Sequence, residues 1–127
     1  MVLNKKQIET IILLDGPKRY SHFIKRIVDW EEVWGLYDDG WALASTDDGV
    51  HIFPLWPAQE YAALCANENW QGYNPEVIKL ADFMDYLLPK LKEDGVLLGV
   101  FYTPTDKGIT PSVDQLLSDL NEELANY

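Results

Sequence analysis

A single cysteine, Cys65, stands in a chain of 127 residues. One thiol excludes an intrachain disulfide framework and a multi-cysteine zinc site. Long apolar runs are missing from the start of the chain. In "MVLNKKQIETIILLDG" the longest is four residues, Ile11 to Leu14. That is too short for a signal-peptide core and far too short for a membrane span. A reducing cytoplasm is the expected compartment. Histidine is scarce, with only His22 and His51. No Gly-x-Ser-x-Gly elbow, Gly-x-Gly-x-x-Gly turn or phosphate loop occurs, so no nucleophile or nucleotide motif stands out.

Positive charge is nearly confined to one end. Residues 1–28 hold six Lys/Arg against two acids, a net of +4, and residues 29–127 hold four Lys against nineteen acids, a net of −15. Such a field opposes nucleic acid and anionic membrane at the acidic part and favours a basic protein partner. The competing explanation is that the acids keep an aromatic-rich chain soluble. Hydrophobic residues make up 47 % of the chain and aromatics 13 %, which argues against disorder. The length suits one domain over residues 1–127, with no low-complexity tract or linker to divide it.

The periodicity gives the elements. Asn4 to Leu14 reads as a helix with Asn4 as cap and Ile8, Ile11 and Ile12 on one face,. Gly16-Pro17 ends it and opens a second helix. Tyr20, Phe23, Ile24, Ile27 and Val28 form its stripe, with Lys18, Arg19, Lys25 and Arg26 mostly off it,. "EVWGLYD", "WALAST" and "VHIFPLW" read as strands, separated by Asp38-Asp39-Gly40 and Asp47-Asp48-Gly49,. Asp-Gly favours tight hairpin turns, so a three-stranded meander is expected, with Pro54 at an edge or an end. Pro57 opens a helix bearing Tyr61, Leu64 and Cys65, and Glu68 to Glu76 is a loop. "LADFMDYLLPKLKEDG" is a helix that Pro89 kinks or splits, stopped at Gly95,. Val96 to Thr103 reads as a central strand, with its pairing open, and a parallel crossover is allowed. Thr110-Pro111 starts a last helix with Val113, Leu116, Leu117, Leu120 and Leu124 inward,. The expected fold is α+β: one four-stranded, largely antiparallel sheet (the meander plus one later strand) packed with about five helices.

Candidate chemistry is thin. The two Asp-Asp-Gly strings lack the alternating ligands of a calcium loop and read as turns. Glu31-Glu32 fits a polar lead-in to the first strand better than an acid/base pair. Cys65, on an alanine-rich helical face, suits a small hydrophobe better than a thiol dyad with a histidine. No catalytic residue, cofactor or metal is assigned. The tryptophans are unusual, because all five, Trp30, Trp34, Trp41, Trp56 and Trp70, fall within residues 30–70. Trp34 and Trp41 belong to the meander. Trp56 and Trp70 flank the Pro57 helix and are the better surface candidates.

Tyr20-x-x-Phe23, "DWEEVWGLYDDGWAL", "PLWPAQEYA" and "FMDYLLPKLKEDG" together resemble a bacterial family of short acidic proteins, the DUF 2750 family of unknown function. The resemblance runs from about Tyr20 to the final helix. It implies a single-domain bacterial protein and carries over no catalytic residue.

The expected function is a non-enzymatic, cytoplasmic protein-interaction or regulatory module. Glu31, Glu32, Asp38, Asp39, Asp47 and Asp48 would steer a basic partner, and Trp56, Trp70 and Tyr73 would supply contact area. The alternative is a small-ligand protein or enzyme with an aromatic-lined pocket near His51 and Cys65. A homodimer through the aromatic patch is a third reading.

Overall fold

Asn4 starts the first helix with a capping box. Its side chain accepts from the Gln7 amide, and the Gln7 side chain accepts from the Asn4 amide, which satisfies amides the first turn leaves open. The structure, a computed structural model, describes residues 3–127. Residues 1 and 2 of the expected domain lie outside the described residues. Helix α1 (Lys5–Ile12) rests Ile8, Ile11 and Ile12 half-buried against the core. Helix α2 (Gly16–Trp30) is capped by Asp15 and buries Phe23, Ile24, Ile27 and Val28. Arg19, expected off the stripe, is buried with them at 2 % exposure.

The single four-stranded sheet is not what forms. There are two small sheets, one of two strands and one of three. Strand β1 (Glu32–Tyr37) pairs antiparallel with β4 (Asn74–Lys79), from Glu32 opposite Lys79 to Tyr37 opposite Asn74. Strand β3 (His51–Leu55) lies between β2 (Ala44–Ser45) and β5 (Leu97–Val100), antiparallel to the first and parallel to the second. The meander fails because the second edge of β1 is divided. Trp34 exchanges both backbone hydrogen bonds with Trp56, at 2.9 and 2.8 Å, while Tyr37 bridges Trp41. With Trp56 on that edge, β2 cannot run along β1. The same Trp34–Trp56 bridge joins the two sheets.

Both Asp-Asp-Gly strings are turns, of different build. Asp39 and Gly40 take positive φ, 55° and 152°, between Tyr37 and Trp41. In the second turn only Gly49 does, at 83°. The Thr46 amide donates to the Val50 carbonyl there, and the Val50 amide donates to Thr46 Oγ1. This is the three-residue hairpin loop that ends in a left-handed glycine. Strand β2 covers β3 only at His51 and Ile52, so at Pro54 that side of β3 has no ladder.

Glu68 to Glu76, expected as a loop throughout, enters β4 at Asn74. Asn and Pro are poor strand formers, but Pro75 sits on the outer strand of a pair, where a missing N–H is tolerated,. Helix α3 (Gln59–Ala66) begins later than Pro57, because Ala58 is still extended at the cap position. Helix α4 (Leu80–Asp82), a π-helical turn (Phe83–Leu87) and helix α5 (Leu88–Glu93) run on without a break. The Leu88 amide donates to the Phe83 carbonyl in the wider register. That widening lies just ahead of Pro89, whose ring would meet the carbonyl of a tighter turn. Among the described residues this makes five helical segments.

Strand β5 is shorter than Val96 to Thr103 and lies at the end of its sheet, so β3 is the central strand. It stops because Phe101 takes a left-handed φ of 65°. The last helix, α6 (Val113–Leu124), is capped by Ser112 instead of Thr110, the Ser112 hydroxyl accepting from the Gln115 amide. Val113, Leu116 and Leu120 are buried, but Leu124 is exposed. One hydrophobic cluster takes in α2, both sheets, α3, the helical stretch through α5, and α6.

Candidate functional site

The β1–β4 register decides which surface residues meet. With Tyr37 opposite Asn74, the Trp70–Tyr73 loop arrives beside the first Asp-Asp-Gly turn. A Cβ on Gly72 would stand 3.9 Å from Asp38 Oδ2. Trp70 Nε1 reaches the Leu43 carbonyl at 3.5 Å. The half-buried Trp70 ring meets Trp56 and Tyr102 edge-on, each with centroids 5.9 Å apart. A second row begins at the surface, with Tyr37 against Trp41 at 5.2 Å and Trp41 against Phe53 at 5.5 Å. Tyr37 is 41 % exposed and Leu43 44 %, and Asp38 and Asp39 are exposed beside Tyr37. Aromatic rings anchored from below, with carboxylates at their rim, make up this end of the molecule.

Asp38, Asp39, Trp70 and Tyr73 are therefore brought together. The other expected site residues are not. Glu31 and Glu32 lie at the opposite end of β1, roughly 20 Å away at about 3.3 Å per strand residue. Glu31 serves as the left-handed C-cap of α2. Asp47 and Asp48 are exposed on the separate β2–β3 turn. Trp56 is 0 % exposed and donates from Nε1 to the Tyr102 carbonyl at 2.9 Å, so it has no surface to offer a partner.

His51 is exposed at the start of β3. Cys65 is buried and donates from Sγ to the same Tyr102 carbonyl at 3.3 Å. Burial pushes its thiol up to about 12, which holds it protonated and unfit as a nucleophile at neutral pH.

Sequence reasoning missed two features. The first is Arg19. Its guanidinium donates to the Leu14 carbonyl at 2.7 Å, to Asp106 Oδ2 at 2.8 Å, and to the Lys107 and Phe101 carbonyls at 3.2 and 3.3 Å. It fixes the strained Phe101 and the turn after it against α2. The spacing held the signal, since Arg19, Phe23 and Ile27 stand four apart on one helical face. The second is a cleft of about 330 Å³ among α1, α2 and the first turn of α3, lined in part by His22, Arg26 and Tyr61. Burial first, and Arg26 second, lower the His22 pKa to about 4. His22 is thus neutral at pH 7, with Nε2 buried and without a partner among the described residues.

Among the described residues, no group of three or more His, Cys, Asp or Glu is placed to hold a metal ion. No described helix is long and apolar enough to cross a membrane. A family model described as "Protein of unknown function (DUF2750)" matches residues 20–120. No curated protein matches the sequence.

Proposed function

The chain belongs to the DUF2750 family, which brings no activity with it, and from its own surface we propose that it is a non-enzymatic docking module for a basic segment of a partner protein. The observation that carries this is the meeting of the Trp70–Tyr73 loop with the Asp38–Asp39 turn. The half-buried Trp70 ring is held by Trp56 and Tyr102 beneath it, so it loses little entropy on binding and makes a good anchor. Asp38 and Asp39 form no ion pair among the described residues, so their charge is free to act on a partner. In a chain of net charge −11, the surrounding field would speed encounter with a basic segment. The lone, buried thiol suits a reducing cytoplasm as the working compartment,.

The test starts from a tagged pull-down in native extract, with the captured partner's basic segment then made as a peptide. Association is measured against the wild type and three variants. Asp38→Lys with Asp39→Lys should slow association about tenfold at low salt and flatten its salt dependence. Trp70→Ala should speed dissociation. Glu31→Lys with Glu32→Lys, at the far end of β1, should change association much less than the Asp38–Asp39 pair does. Equal effects from the two charge pairs, or none from Asp38–Asp39, would sink the reading.

A further inference from the structure

The cleft among α1, α2 and the start of α3 joins an apolar wall to two cationic side chains. We propose that it binds a small organic carboxylate carried on a compact apolar body. This site is separate from the docking end, since Tyr61 lies in the first turn of α3 and Trp70 lies beyond its last.

Size and lining come first. About 330 Å³ is at the lower end of small-molecule sites. Leu3, Ile11 and Tyr61 supply apolar wall. Charge comes second. Among the described residues Lys6 and Arg26 line the cleft and no carboxylate does, although the chain has 21 acids against 10 Lys/Arg. Glu60 is close by, accepting from the Leu3 amide at 3.1 Å, but it is not part of the lining. The groove on the other side of Arg26 does include acids, Asp29 and Glu123. An anion choosing between the two would take the cleft.

Arg26 is also prepared for the task. Its guanidinium lies over the Trp30 ring, 4.1 Å from the centroid, which restrains the plane while leaving the N–H edges open. It makes no ion pair and no side-chain hydrogen bond among the described residues. Its charge reaches both neighbours in the lining. At Tyr61 burial raises the pKa and Arg26 works against that rise. At His22 it adds to the lowering that burial begins. Arg26, His22 and Tyr61 all line this one space. A carboxylate there would meet a two-pronged donor that is already oriented, and its apolar body would cover Ile11 and Leu3.

The experiment uses the full chain, labelled with ¹⁵N, and titrates it with benzoate and hexanoate while amide shifts are followed. The expected result is saturable shifts confined to residues 3–11, 22–26 and the start of α3. Benzamide, which keeps the ring and drops the charge, should bind about tenfold more weakly than benzoate. Arg26→Gln should weaken benzoate about tenfold, and Arg26→Lys should recover only part of that loss. Shifts that never saturate with either carboxylate, or that map elsewhere, would overturn the proposal. Equal binding of benzamide, or an Arg26→Gln chain that binds benzoate as tightly as wild type, would do the same.

Discussion

Arg19 shows how much one side chain can settle. It is 2 % exposed and serves three carbonyls as well as Asp106. Removing it strands the buried Phe101 carbonyl and unpairs the part-buried Leu14 and Lys107 carbonyls, at roughly 1–3 kcal/mol for each group that water cannot reach. Asp106 is different, because its side chain is 58 % exposed and water can replace it. Arg19→Met should therefore cost about 2–3 kcal/mol, and Asp106→Asn about 1 kcal/mol or less. Urea midpoints of the two variants check the order. If Asp106→Asn proves as costly as Arg19→Met, the ion pair outweighs the carbonyls and the account is wrong. Arg19 was legible in the spacing, four residues before Phe23, yet its charge argued for the surface. Trp56 was misplaced for a related reason. Its depth comes from the backbone bridge to Trp34, a long-range pairing that no local pattern reveals.

Helices were read well from periodicity because their hydrogen bonds are local, and Asn4, Gly16 and Gly95 mark their ends in the sequence. Strand partners were not, because pairing joins distant residues and β1 has three claimants, β4, Trp56 and Trp41. Strand β4 was hidden further by Asn74 and Pro75. Close approaches between elements make the pairing testable. A Cβ on Gly108 would stand 2.5 Å from the Val100 carbonyl oxygen, which is backbone. The Val100–Ile109 bridge beside β5 would have to open. A Cβ on Gly35 in β1 would stand 2.8 Å from the edge of the Trp41 ring, which is half-buried and can swing. Overpacking costs about 1–3 kcal/mol. Gly108→Ala should fall at or above the top of that range and Gly35→Ala near the bottom. Gly35→Ala should also change tryptophan fluorescence, since Trp41 must move. Thermal and urea unfolding rank the pair, and a costlier Gly35→Ala would contradict the register.

Across the whole molecule, charge acts on folding and on binding with opposite signs. The candidate acidic site was only partly legible in the sequence. Composition shows how many carboxylates there are, but the register of β1 decides that the Asp38–Asp39 turn stands beside the Trp70–Tyr73 loop while Glu31 and Glu32 lie at the far end of the strand. A net charge of −11 repels itself in the folded state. Attraction opposes this, but three of the four ion pairs among the described residues join exposed side chains, each worth about 0–1 kcal/mol. The unpaired excess of acids should win. Raising NaCl from about 10 mM to about 300 mM shortens the screening length severalfold, so the urea midpoint should rise by the equivalent of about 1 kcal/mol. Association with a basic segment should slow over the same range. The opposite signs separate the two effects in one salt series. A midpoint that falls with salt would mean that the basic first 28 residues hold the acidic remainder more strongly than the acids repel one another. The Asp38–Asp39 charge reversal would then weaken that hold and be expected to lower stability, where simple self-repulsion has it raise stability.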